Sequence, residues 1–94
     1  MHVVVRSYSA GAAELFEALE QRESEVRELI GGVPGFVSYT AFLGGDGGGT
    51  TVTVCEDKAG TDESSRRAAE WVKENLGASV DPPAITEGDT SLQF

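Results

Sequence analysis

Apolar and polar residues alternate along four stretches of this chain and recur every three or four positions along two others. Residues 3–8, VVVRSY, are β-branched and aromatic, as a strand favours. From about 12 to 30 the apolar positions are Leu15, Phe16, Leu19, Val26, Leu29 and Ile30. That spacing puts them on one face of a helix, with Ser9 as a candidate cap. Six glutamates, Glu14, Glu17, Glu20, Glu23, Glu25 and Glu28, cover much of the remaining surface. With no histidine among them they read as a solvated face and not as a metal site. Gly31-Gly32 supplies the left-handed stop a helix end commonly uses, and Pro34 prevents resumption.

Residues 36–43, FVSYTAFL, and 50–56, TTVTVCE, alternate as strands on either side of GGDGGG and predict a hairpin. The glycines do not make a phosphate loop, because a strand follows them and no Lys-Ser/Thr pair is present. Ala59-Gly60-Thr61-Asp62 reads as a turn, with Thr61 or Asp62 capping a second helix over about 62–76. Ala68, Ala69, Val72 and Leu76 give that helix its apolar stripe, and Gly77 stops it. ASVDPPA is a rigid connection, and ITEGDTSLQF is a weakly alternating strand expected at an edge.

The order β-α-β-β-α-β predicts a single α+β domain over residues 1–94, a ferredoxin-like sandwich. Its four-stranded antiparallel sheet should carry the first and third strands in the middle and both helices on one face. Alternation divides each strand into two sets of side chains. Val3, Val5, Val37, Tyr39, Ala41, Leu43, Val52 and Val54 match the apolar helices better and are assigned to them. His2, Val4, Arg6, Tyr8, Phe36, Phe42, Thr51, Thr53 and Cys55 then fall on the far face. That face is too apolar to remain in water, so a second copy is expected to cover it, giving a homodimer whose sheets enclose a barrel.

Composition narrows the partners. Hydrophobic residues make up 39% of the chain and charged residues 24%, ordinary for a soluble domain. The net charge of −9 argues against nucleic acid or an anionic membrane surface as partner. One cysteine, Cys55, excludes an intrachain disulfide and fits a reducing compartment. MHVVVRSY lacks a basic region followed by a long apolar run, and no apolar stretch approaches a membrane span, so a cytoplasmic protein is expected.

The element order, PGFVSY leading into the second strand, and VCEDKAGTDESSRRAAEWVKENL running through the second helix resemble the dimeric α+β barrel superfamily. Within it the chain is most similar to small antibiotic-biosynthesis-monooxygenase-like (ABM-like) domains. The resemblance covers nearly the whole chain and implies the fold more specifically than the activity. Members include cofactor-independent oxygenases of aromatic polyketides and haem-degrading enzymes. The haem-degrading branch resembles a pattern with a histidine ligand on the second helix, supported by a tryptophan and an asparagine. This chain has Trp71 and Asn75 there but its one histidine is His2, so the ligand role is not carried over and no cofactor is assigned.

Cys55, Glu56 and Asp57 end a strand, and alternation separates Glu56 from the other two. Acidic neighbours should raise the Cys55 thiol pKa, which suits a small buried hydrophobe and not a nucleophile. His2 is the candidate base, although it follows the initiator methionine, where chains fray. Arg6 has two readings. It pairs with Asp57 or with a carboxylate across the dimer, or it joins Tyr8 to hold the polar end of an anionic or phenolic ligand. Phe42 on the barrel side and Trp71 at the cavity mouth complete the candidate ligand-binding set, with core packing as the alternative for Trp71. Two functions follow: a cofactor-independent monooxygenase acting on a small aromatic or polyketide-like compound, or a non-catalytic dimeric small-molecule-binding or accessory module.

Overall fold

The computed structural model describes residues 1–9 and 11–94. Strand β1 (His2–Tyr8) leads to helices α1 (Ala12–Gln21) and α2 (Glu23–Gly31), then to the hairpin of β2 (Phe36–Leu43) and β3 (Gly49–Cys55). Helix α3 (Lys58–Leu76), a 3-10 turn (Gly77–Ser79) and strand β4 (Ala84–Asp89) complete the chain. The sheet order is β2-β3-β1-β4 with every pair antiparallel, so β1 and β3 are central as the composition of their valine runs implied. Among the described residues no helix is long and apolar enough to cross a membrane.

Both helix starts differ from expectation for local reasons. Ser9 caps nothing; the N-cap of α1 is Gly11, in a left-handed conformation with φ of 79°. A Cβ there would meet the Ser79 carbonyl oxygen at 2.3 Å, so the turn after α3 closes directly onto this glycine. The expected single helix over 12–30 is broken at Arg22, whose ψ of 35° leaves the helical region. Helix α3 starts at Lys58, earlier than the Thr61 or Asp62 cap anticipated, because Asp57 caps it: its Oδ1 accepts the Gly60 N–H at 3.1 Å.

The main correction concerns which side of the sheet meets the helices. His2, Val4, Arg6 and Tyr8 of β1 are buried beneath them, as are Thr51, Thr53 and Cys55 of β3. These are the residues assigned to the barrel side from sequence. Of the set assigned to the helices, Val3, Val5, Val52 and Val54 lie on the open face, whereas Tyr39 and Ala41 do face the helices. The assignment failed because valine packs equally well on either side of a pleated sheet, whereas the guanidinium and hydroxyls follow their hydrogen-bond partners. Those partners are on α3. In β2 a bulge between Phe36 and Ser38 puts Phe36 opposite Cys55 and Tyr39 opposite Thr53, both on the helix side.

The core lies between the layers. Leu15, Phe16, Val26, Ile30 and Trp71 pack around Tyr8, whose ring meets Phe16 edge-on with centroids 6.5 Å apart. Each large apolar side chain buried this way contributes about 1.5–3 kcal/mol. At the other end of the layer Cys55 is fully buried under the first turn of α3. A Cβ on Gly60 would lie 2.6 Å from the Pro34 carbonyl oxygen and 2.8 Å from the Cys55 Cβ. Gly60→Ala should therefore destabilise the fold by about 1–3 kcal/mol in urea unfolding, with the denaturant slope unchanged.

Candidate functional site

The hydroxyl-rich centre of the helix–sheet layer is organised by Arg6. Its position on β1 sends the side chain towards α3, and the residue is only 2% exposed. Its Nη1 donates to Thr53 Oγ1 at 3.1 Å and, more distantly, to Thr51 Oγ1 at 3.4 Å. Its Nη2 donates to Ser64 Oγ at 2.7 Å and Ser65 Oγ at 3.0 Å. Ser64 is oriented for this by donating its own hydroxyl hydrogen to the Thr61 carbonyl at 2.7 Å. The Arg6 Nε–H is buried and has no partner. Among the described residues no carboxylate bonds to the guanidinium, which removes the expected pairing with Asp57; that residue caps α3 instead.

Two phenols stand beside this charge. Burial raises the Tyr8 pKa and the Arg6 cation partly offsets it. Burial and the neighbouring Tyr8 push Tyr39 up to about 12, against the opposing pull of Arg6. Both rings therefore stay protonated at neutral pH. Trp71 closes the layer on the helix side, its indole N–H donating to Glu25 Oε2 at 2.9 Å. Phe42 lies apart from these three. It is opposite Thr50 on the open face and is 50% exposed.

Two hollows flank this centre. The larger, about 590 Å³, opens between β2 and the α1–α2 pair and is walled by Leu19, Val26, Ile30, Phe36, Tyr39 and Ala41. The smaller, about 200 Å³, lies between β1, α3 and the segment leading to β4; Arg6, Tyr8, Ser65 and Lys73 border it. Between them Tyr8, Tyr39 and Trp71 form a septum around a gap of only about 20 Å³.

His2 is not free to act as a base. Its Nδ1 lies 3.0 Å from Asp89 Oδ1 and its Nε2 3.0 Å from Glu87 Oε1, so both ring nitrogens face carboxylates. These bonds favour the imidazolium and raise its pKa, with Asp89 the larger contributor. The group ties the end of β1 to β4, which also explains why this terminus is held in the sheet. Cys55 is a buried thiol whose pKa is raised by burial first and by Asp57 second. Among the described residues no cluster of histidine, cysteine, aspartate and glutamate is placed to hold a metal ion.

The serines and threonines around Arg6 were not singled out from sequence, although a signal was present. The stripe Ala68, Trp71, Val72 of α3, extended towards its N-terminus by the same spacing, lands on Thr61, Ser64 and Ser65. A helix whose inner face turns from apolar to hydroxyl-bearing implies a polar group beneath it. The bulge that brings Phe36 and Tyr39 onto one side carries no comparable sequence mark.

Solved structures share this arrangement of elements. A monooxygenase from the gene ActVA-Orf6 of Streptomyces coelicolor, solved with Nanaomycin D, matches with a TM-score of 0.72 and 23% identity over 99% of this chain and 89% of that one. SnoaB, a cofactor-independent oxygenase from Streptomyces nogalater, matches with a TM-score of 0.69 and 14% identity over 99% and 95%. The haem degrader MhuD from Mycobacterium tuberculosis matches with a TM-score of 0.67 and 15% identity over 100% and 99%. The chain has the fold of the ABM-like domains. No family model matches the sequence, and no curated protein matches it. The donor set does not suit haem ligation: α3 bears Trp71 and Asn75 without a histidine, and His2 is occupied by two carboxylates.

The His2 tie makes a pH-dependent contribution to stability. A pKa raised above 6.5 in the folded state stabilises the fold fully below 6.5 and ceases to do so as pH rises through the folded value. The lowered pKa of Asp89 works in the other direction, stabilising above 3.8 and fading as pH falls through its folded value. Melting temperature should thus fall as pH rises from about 6 towards 8 in the native chain. His2→Gln should flatten that slope, as scanning calorimetry at several pH values would show.

Proposed function

We propose that this protein is a cofactor-independent monooxygenase-like protein that takes a small aromatic or polyketide-like compound between its helices and sheet and works as a homodimer. The observation that supports this most strongly is the groove of about 590 Å³, walled by Leu19, Val26, Ile30 and Phe36 and reaching the Tyr39 phenol. Its size and apolar lining suit a planar ligand of a few rings. Arg6, Tyr8 and Trp71 are the ligand-binding residues of this reading: Tyr8 and Trp71 form the septum with Tyr39 at the groove's inner end, and Arg6 lies behind it. Phe42 acts from the open face as a dimer contact and does not line the groove.

Oxygen chemistry without metal or flavin draws its electrons from the substrate. An activated methylene next to a phenol ring releases its proton to water at the mouth of the groove, the resulting anion reduces O2, and the carbon becomes a carbonyl. One oxygen atom stays on the carbon and the other leaves as water. The charge of Arg6 behind the septum favours the ionised substrate, protonated Tyr39 donates a hydrogen bond to its oxygen, and the apolar walls cover the rings, with Glu20, Glu23 and Arg27 also bordering the groove. The second reading, a non-catalytic dimeric binding module, is favoured by one observation: the His2 imidazole is engaged by Asp89 and Glu87, leaving no free histidine base.

The dimer is supported by the open sheet face, where the part-exposed Val3, Val5 and Val52 and the half-exposed Phe42 are apolar. A reducing cytoplasmic setting is consistent with the single buried thiol, and the acidic surface gives nucleic acid and anionic membranes no purchase.

Metal-stripped protein should consume O2 in an electrode when given an anthrone-type compound. Tyr39→Phe should reduce the rate about tenfold or more without changing the fold. Saturable binding without oxygen uptake would establish the binding-module reading. By sedimentation equilibrium the native chain should show twice its chain mass at micromolar concentration, and Val5→Glu should shift it to the monomer.

A further inference from the structure

Arg6 brings a full positive charge into the protein and finds no negative one. A guanidinium has five N–H bonds; four meet the neutral hydroxyls of Thr51, Thr53, Ser64 and Ser65, and the fifth, on Nε, meets nothing. The remaining neighbours do not neutralise it either: Tyr8, Tyr39 and Cys55 are all held in their protonated forms. An unpaired buried ion is strongly unfavourable, and structures that retain one ordinarily supply a counter-charge.

The space for that counter-charge adjoins the same residue. The hollow of about 200 Å³ is bordered by Arg6 and Ser65 and walled by Ala69, Val72, Val80 and Pro83. Nε and Nη2 form the side-on edge of a guanidinium, whose two parallel N–H bonds match the two oxygens of a carboxylate. The Nε–H is buried and unpartnered, and the two Nη2 N–H bonds go one each to Ser64 and Ser65, so a carboxylate takes this edge by displacing the Ser65 oxygen. Ser65 borders the hollow and is half-buried, so its hydroxyl can turn from accepting Arg6 to donating to an incoming oxygen. Exposed Lys73 and Asp81 at the rim carry opposite charges, and solvent screens both.

We propose that the hollow beside Arg6 is a carboxylate subsite, binding a small organic acid, or the acid group of a larger ligand, across Nε and Nη2 with Ser65 as the third contact. Its volume is below that of a drug-sized pocket and its far walls are apolar, which fits a carboxylate bearing a short chain or a single ring. The proposal rests on reading the helix–sheet layer as the ligand site. It is measured by binding and not by turnover, so it fails separately from the oxygenase reading.

The test is calorimetric titration and thermal shift of the intact chain at constant ionic strength. The probes are acetate and benzoate, with benzamide as the neutral isostere of benzoate, and inorganic phosphate and chloride as other anions. Acetate or benzoate should raise the melting temperature with concentration, and benzamide should not. Arg6→Gln should weaken carboxylate binding at least tenfold, while its ligand-free melting temperature equals or exceeds that of the native chain. Asp81→Asn should tighten binding about two- to threefold and Lys73→Gln weaken it by a similar factor. If Arg6→Gln does not fold, these opposite shifts at exposed positions decide the matter. Equal stabilisation by benzamide, unchanged affinity in Arg6→Gln, or a response to phosphate or chloride alone would overturn the proposal.

Discussion

A guanidinium taken out of water between two layers of a small protein imposes conditions on everything around it. The penalty after relaxation is of order several kcal/mol, and it is offset only by hydrogen bonds of good geometry. Here those bonds come from hydroxyls. That requirement accounts for Thr51 and Thr53 at central positions of β3, where valine would otherwise pack, and for Ser64 and Ser65 on the inner face of α3. It also decides which side of β1 turns inward, since Arg6 takes His2, Val4 and Tyr8 with it by alternation.

A polar centre displaces the apolar core. Leu15, Phe16, Val26, Ile30 and Trp71 gather around the Tyr8 ring and leave two spaces that side chains do not fill. The larger has the size and lining of a ligand groove. The smaller touches the unpaired charge. Protonated Tyr8 and Tyr39 stand between them, so any ligand that spans the septum would meet two hydrogen-bond donors and a fixed cation in succession. This concentration of electrophilic groups suits a ligand that becomes anionic. It offers no general base of its own.

His2 shows how a residue of catalytic type can be consumed by architecture. Facing Asp89 and Glu87 on β4, it holds the last strand to the sheet, and the two carboxylates that favour its protonated form also occupy both ring nitrogens. The lone histidine of the chain thereby serves as a structural tie. The opposite sheet face is the simpler surface, carrying valines and the half-exposed Phe42 away from the helices.

Element order and strand centrality were legible from pattern alone, because alternation, three-to-four-residue spacing and the Gly and Pro stops are local properties of the backbone. So was the buried character of Cys55, whose acidic neighbours are adjacent in sequence. What the pattern left undetermined was the sense of the sheet. VVV and VTV satisfy either face equally, and only the partners offered by α3 across the fold distinguish them. Arg6 and Tyr8 were recognised together as candidates, and Trp71 separately. Their meeting with Ser64, Ser65 and Tyr39 depends on pairings between residues some tens of positions apart and on a bulge in β2, contacts that no local spacing encodes.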